Sequence, residues 1–508
     1  MLYVPLYVEA LRTRPRLVFW LATLTQALIW LVVPLVFYSA PPGELPQVLA
    51  IGRHFPLNGN FGPPLAYWLA EIAFRLGGLF GVYLLSQLCV VITYWCVFAL
   101  GRAIVGATCA AMAVLLMTGI SVFTVPTPDF GPPLLTAALW AVALLHYWRA
   151  VMQKETASWY ALGAALALIL LTSDAALVFF GLIVLFTVLT ARGRAAFRAV
   201  EAWIVAGVLV VVIGVHLFWL MGDGVAVALT RLREAGAAAA NTAAWLRLLG
   251  GLVLAHAGLA ILVVLASGWP RFPAPAPEIA RLPLDPLALR YVKVFALAPA
   301  LLATIAAVLF GQALPIGGFA PLLVLSGLAA IVAAGETIIL HHQRILGFAW
   351  TGLLLLPVVF VPVVIVLLPW TTGTELRIAQ PAAAMGRFFA QSFERRTGRR
   401  LAIVGGEAAT AALVAFAVPG QPSVYFAADP ARSPWVTMAD IRKEGAILVW
   451  PASGFDPQPP AAIKARFPDL VAEVPETFAR PVRGRLPPLR IGWGMIRPAS
   501  APAAVPPR

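Results

Sequence analysis

The sequence predicts an all-α polytopic membrane bundle of about eleven transmembrane helices carrying a small C-terminal α/β soluble domain, and three observations lead there. Of its 508 residues 61% are hydrophobic and only 11% charged, with a mean hydropathy of +0.89. A soluble chain of this size needs charged residues at roughly 25% to cover its surface, so most of this surface must face lipid. The apolar residues come in blocks of the about 17–25 residues that cross a hydrocarbon core. After Trp370 the blocks stop, and short strand and helix patterns rich in charge take their place.

The blocks run over 17–38, 79–100, 103–122, 131–148, 157–172, 175–191, 201–220, 247–267, 292–310, 317–335 and 345–369. The first follows Arg12, Arg14 and Arg16, is too long for a signal-peptide core and lacks a small-residue cleavage site, so it reads as an uncleaved span. The blocks at 157–172 and 175–191 are short and meet at Thr172-Ser173-Asp174. A single helix over both would overshoot the bilayer, so a hairpin is expected there. With the N-terminus in the cytoplasm, the inner segments hold Arg12, Arg14, Arg16, Arg102, Arg149, Lys154, Arg192, Arg194, Arg198, Arg271, Arg281, Arg290, Lys293 and Arg344. The outer loops hold only Arg53, Arg75, Arg231, Arg233 and Arg247. That positive-inside bias predicts an inner-membrane protein with a cytoplasmic N-terminus and a periplasmic tail, since long tail domains translocate largely regardless of charge.

The expected organisation is a transmembrane part over 1–370 with a first outer loop over 39–78, a periplasmic α/β domain over 371–497, and a Pro/Ala-rich disordered tail over 498–508. Within the domain, strands are read at 401–404, 423–427 and 446–450, and helices at 382–396, 407–418, 438–443 and 461–467. This alternation predicts a mainly parallel sheet. Gly405-Gly406 after the first strand lacks the full glycine spacing of a dinucleotide fingerprint.

The net charge of +14 does not make a nucleic-acid partner, because many of the cations sit singly or in small groups between apolar blocks. Cys89, Cys96 and Cys109 all lie inside those blocks, which excludes a disulfide framework or a thiolate zinc site. Polar residues at membrane depth are costly and so become candidates for function. The first outer loop carries Gly43-Glu44, Arg53-His54 and Gly59-Asn60-Phe61-Gly62-Pro63-Pro64-Leu65, then an amphipathic stretch to Phe74 with Tyr67 and Trp68 suited to the headgroup zone. Glu44 there serves as a general base or metal-linked carboxylate, or is a solvated loop residue. Thr127-Pro128-Asp129 places a second carboxylate before the fourth span, and it equally suits a helix start. Asp174 is a turn residue or a substrate contact. Arg231 and Arg233 are set to grip a lipid-borne phosphate or to meet the membrane surface.

In this order the pieces resemble the GT-C class of integral-membrane glycosyltransferases, in the branch of bacterial protein O-mannosyltransferases and aminoarabinose transferases. That branch has an Asp-Glu pair soon after the first span, where Gly43-Glu44 stands. It has a segment ending His-Pro-Pro-Leu before an amphipathic helix, where Gly62-Pro63-Pro64-Leu65 stands, and a later Thr-Pro-Asp, here Thr127-Pro128-Asp129. The segment Trp159–Arg198 is similar too, with Ser173-Asp174 where Ser-Lys is commoner. Motifs cover roughly 17–200; the remainder is similar in topology only. The resemblance implies an enzyme that moves a sugar, with inversion, from a polyprenyl-phosphate donor to a lipid, glycan or protein acceptor among the membrane lipids. Glu44 would be base and Asp129 the second acidic group, with a divalent metal ion or basic groups at the leaving phosphate. Arg53, His54, Asp174, Arg231 and Arg233 would contact substrate. Two departures matter: Gly43 replaces the Asp usually assigned as base, and Gly62 replaces the His. Either Glu44 takes over as base, or the arrangement differs, or activity is lost and the chain is an accessory subunit of envelope glycan assembly. A transporter or flippase is the other alternative, though no half-to-half repeat supports it.

Overall fold

The computed structural model describes residues 3–57, 61–124, 129–173, 176–219, 238–268, 278–310 and 320–499, apart from 453, 455, 457 and 469. They fall into two compact units: Met1–Val32 with Phe80–Val358, and Val33–Leu79 with Val359–Arg508. The chain opens with α1 (Tyr3–Thr13), α2 (Pro15–Phe37), α3 (Leu45–Gly52) and α4 (Leu65–Val105).

Every one of the eleven apolar blocks contains helix. Among the described residues five helices are long and apolar enough to cross a membrane: α2, α4, Pro132–Met152, Pro286–Leu309 and Gln343–Thr371. A sixth forms if Asn241–Ala255 and Ala257–Ala266, bent by 45° at His256, count as one broken span. Val200–Trp219 runs for 20 residues, whereas Ala107–Met117, Thr156–Leu170, Ala176–Leu189 and Ala320–Ala333 are apolar helices of 10–17 residues. At 1.5 Å per residue they reach about 15–26 Å, short of a hydrocarbon core of about 30 Å.

In the first unit α2 buries Phe19, Ala22 and Trp30 and turns Leu21, Leu24 and Leu28 outward, an apolar outer face suited to lipid. Large aromatic rings fill the interior. Trp140 stacks on Phe179 with centroids 4.2 Å apart, and Tyr291 packs on Phe295 at 4.8 Å. The hydroxyls in this cluster are bonded: Tyr291 donates to the Leu144 carbonyl at 2.7 Å, and Tyr147 meets Thr187 Oγ1 at 2.8 Å. Elsewhere helices meet through glycine. A Cβ on Gly327 would stand 2.2 Å from the Ala113 carbonyl oxygen, and one on Gly119 2.5 Å from the Leu259 nitrogen. Such close approach is how helices pack where lipid tails remove the hydrophobic drive between them. A short antiparallel ribbon pairs β1 (Glu278–Ala280) with β2 (Thr337–Ile339).

The second unit holds a five-stranded sheet of β3 (Ile403–Gly406), β4 (Ser423–Phe426), β5 (Ala446–Ala452), β6 (Val471–Phe478) and β7 (Leu489–Ile496), in the order β4-β3-β5-β7-β6. The pairs β3–β4 and β3–β5 are parallel, whereas β5–β7 and β6–β7 are antiparallel, so the sheet is mixed rather than mainly parallel. The three parallel strands β4, β3 and β5 carry the continuous apolar runs expected of strands buried on both faces. The edge strand β6 is largely exposed and irregular between Glu473 and Glu476, and the apolar run of β7 is interrupted by Gly492 and Gly494. Gly492 is needed there, since Trp450 lies across its backbone and a Cβ would stand 2.2 Å from the indole nitrogen. Tyr425, Leu448, Trp450, Ile441 and Phe467 form the core on one side of this sheet.

Candidate active site

The loop over 39–78 folds into the second unit. Ser39 and Ala40 donate to the Ile378 carbonyl at 2.9 and 3.1 Å, and Arg377 reaches the Gly43 carbonyl at 3.5 Å. Gly43 has φ +50°, and Glu44 follows as the N-cap residue of α3, its carbonyl accepting from Gln47 and Val48 at 2.9 and 3.0 Å. The Glu44 side chain makes no cap hydrogen bond and is exposed, a carboxylate left open at the mouth of a helix. A Cβ at Gly52 would stand 2.3 Å from the Tyr67 carbonyl, so α3 lies directly on the start of α4.

Arg53 and His54 leave α3 together. Arg53 spans to the turn after Ala408–Ala417, giving one terminal nitrogen to the Gly420 carbonyl at 2.8 Å and the other to Gln421 Oε1 at 3.2 Å. Burial pulls its pKa down, and Glu71 opposes that. His54 stacks on Trp435 with centroids 4.8 Å apart and planes 9° from parallel. Burial, reinforced by the Arg53 charge, lowers its pKa to about 4, so at neutral pH it is an uncharged ring. It cannot act as a cation toward phosphate in that state.

The amphipathic stretch before Phe74 is helical, but Tyr67 and Trp68 spend their polar tips on the loop. Tyr67 donates to the Phe61 carbonyl at 2.8 Å and Trp68 to the Pro56 carbonyl at 2.9 Å. Glu71, which the sequence reading passed over, is 3% exposed and accepts from Arg75 Nε at 2.7 Å. The i, i+4 Glu–Arg spacing was visible in the sequence; its burial was not. Arg53, Glu71, Phe74, Arg75, Phe416 and the 417–421 backbone line a cleft of about 720 Å³.

Asp129 is half-buried and sits two residues before Gly131, the N-cap of Pro132–Met152. It belongs to the first unit and Glu44 to the second. Asp174, Arg231 and Arg233 lie outside the described residues, as do Thr127 and Pro128. Among the described residues no three His, Cys, Asp or Glu side chains gather in a way that would hold a metal ion. Glu44 and Asp129 therefore bring no further donors of that kind with them.

Residues 62–219 match the family described as dolichyl-phosphate-mannose-protein mannosyltransferase. No curated protein matches the chain in sequence. Among solved structures, ArnT from Cupriavidus metallidurans bound to undecaprenyl phosphate superposes with a TM-score of 0.60 at 14% identity, covering 94% of this chain and 97% of that one. The apo state of the same protein gives a TM-score of 0.47 at 13% identity over the same shares. The chain is thus a multi-pass membrane protein with the fold of that ArnT, and its residues 62–219 are similar to the mannosyltransferase family.

Proposed function

We propose that the chain is a polyprenyl-phosphate-dependent membrane glycosyltransferase, working at the periplasmic face of the inner membrane. The observation that carries this reading is a fold shared over 94% of the chain with a protein seen bound to undecaprenyl phosphate, joined to the family match over 62–219. The acceptor is a hydroxyl of a lipid, glycan or protein. Its proton passes to the Glu44 carboxylate as its oxygen attacks the anomeric carbon. The bond from that carbon to the phosphate oxygen breaks, and the electron pair leaves with the polyprenyl phosphate. Asp129 is the second acidic group that the resemblance implies, and Arg53 offers positive charge to the leaving phosphate. The open side chain of Glu44 supports its role, because a base must reach substrate rather than its own helix.

The test uses the full chain in proteoliposomes with radiolabelled sugars on polyprenyl phosphate and an envelope extract as acceptor. Transfer should be detected, and Glu44→Gln should lower it about a hundredfold or more, the scale of lost general-base catalysis. Asp129→Asn should do similar damage. Normal activity in both variants would remove these carboxylates from the mechanism. No transfer by the wild type from any donor would favour an accessory subunit, a reading that gains from Gly43 and Gly62 standing where the family has Asp and His.

A further inference from the structure

In the cleft beside Arg53, Glu71 and Arg75 are groups that the proposed transfer leaves unused. Glu71 is 96% buried by side chain, and only its Oε1 is occupied, by Arg75 Nε. Its Oε2 has no hydrogen-bond partner among the described residues. Glu71 lines the cleft, so this oxygen is free to accept from a ligand seated there. Arg75 is fixed at Nε, its guanidinium lies 5.0 Å over the Phe55 ring, and its terminal nitrogens make no hydrogen bond among the described residues. Phe55 itself is held at φ +44°, a strained conformation for a bulky residue and one that tends to mark functional sites. The cleft thus offers an acceptor oxygen, a pre-oriented cation fork and an aromatic wall of Phe74 and Phe416, which meet edge to face at 5.9 Å. With Arg53 and Arg75 against Glu71, one positive charge is unbalanced.

Beside the cleft, Ile72 and Leu76 stand 44% and 84% exposed on the same helical segment, one turn apart. In a membrane protein that exposed apolar strip suits acyl chains. We propose that the cleft seats the head group of an anionic, hydroxyl-bearing phospholipid of the phosphatidylglycerol kind, with its phosphate on the Arg75 fork, its hydroxyl donating to Glu71 Oε2 and its chains along Ile72 and Leu76. A phosphodiester supplies the one negative charge the cleft lacks, and a planar guanidinium matches its oxygens. The site does not depend on the glycosyl-transfer reading, and it would hold a bilayer lipid rather than a sugar donor.

Binding is measured on the full chain in detergent by thermal unfolding against titrated dioctanoyl lipids. Phosphatidylglycerol should bind about tenfold or more tighter than phosphatidylmethanol, which has the same charge and no hydroxyl, and tighter again than phosphatidylcholine. Glycerol 1-phosphate, the head group alone, should bind at least about tenfold more weakly. Arg75→Gln should abolish the preference for phosphatidylglycerol over phosphatidylcholine, and Glu71→Met the preference over phosphatidylmethanol. Should Glu71→Met fail to fold, Arg75→Gln with Glu71 intact still decides the phosphate contact. Equal affinity of the wild type for all three lipids, or an undiminished preference in Arg75→Gln, overturns the proposal. Glycerol 1-phosphate binding as tightly as the lipid overturns the assignment to a membrane lipid. These outcomes read binding alone, so they hold whether or not Glu44 proves catalytic.

Discussion

In the helical unit Thr23, Trp30, Ser86, Gln87 and Trp140 bury polar side-chain atoms that find no hydrogen-bond partner among the described residues. In the unit that holds the tail His54 Nε2 and Tyr425 Oη are likewise without one, but many polar groups are spent on the backbone. Glu407 caps Ala408–Ala417 by accepting from Ala409 and Thr410, Thr437 and Asp440 close a capping box, and Ser433 accepts from the Phe426 nitrogen at 2.8 Å. Apolar helices satisfy their own main chain and can be specified by shape, through glycine contacts and stacked rings. The short helices and mixed sheet of the tail are specified by hydrogen bonds at their ends. The bundle should therefore be sensitive to volume and the tail to polarity.

The strongest test of this contrast is Gly327→Val. With the Ala113 carbonyl 2.2 Å from where a Cβ would stand, neither helix can give way without separating. Loss of monodisperse protein on size-exclusion chromatography in detergent is expected, and a normal profile would deny that the bundle is set by close approach. Next comes Trp140, which is 2% exposed. Trp140→Ala should cost about 3–5 kcal/mol, the range for emptying a large aromatic site. Trp140→Phe keeps the stack on Phe179 and deletes an unpaired N–H, so it should cost well under about half of that. Thermal melts of the two variants decide it, and equal losses would mean that the indole nitrogen has a partner after all.

Smaller effects belong to the second unit. Burial pushes the Glu407 carboxyl up, but hydrogen bonds from Thr410 and Ala409, helped by Arg377, outweigh it and leave the pKa lowered. Its contribution is therefore present above the ordinary glutamate value and is lost as pH falls through the lowered one. Glu407→Gln should destabilise by about 1 kcal/mol at pH 7, a typical cap loss. Melts at low pH should show the gap to wild type closing. His54 has the same sign for a different reason. Its pKa of about 4 lies below the ordinary 6.5, so the unfolded chain takes the proton first and stability declines as pH falls from 6.5 toward 4. His54→Phe, which keeps a ring on Trp435, should flatten that part of the profile, as a pH series of melts would register.

The helical blocks were legible in the sequence because hydropathy reports directly on lipid exposure, and every block contains helix. The number of crossings was less so, since blocks such as 103–122 and 157–172 become helices of 11 and 15 residues, ending at turns that hydropathy does not see. In the tail the buried strands β3, β4 and β5 were found as apolar runs. The strands β6 and β7 were missed: one carries Glu473, Pro475 and Glu476 on an exposed edge, and the other hides two glycines under larger neighbours. In the candidate site, Glu44, Arg53 and His54 were marked from motif position, but the stacking of His54 on Trp435 depends on residues 381 positions apart. The departures at Gly43 and Gly62 gain meaning from backbone: φ is +50° and +93°. An Asp at 43 is among the residues that tolerate such a conformation best, whereas a His at 62 would be strained even in open space.

Within α4 the hydrogen-bonded helix is broken at Gly77 (φ −150°, ψ 19°) and Gly78 (φ 58°, ψ −144°). An unbroken helix transmits phase: one inserted residue turns everything beyond it by about 100°. Here the two glycines discharge that rotation. Residues 65–76 can drift in length or register over evolutionary time while the span after them keeps the same face toward its neighbours. The segment before the two glycines is thus free to be rewritten without re-threading the membrane.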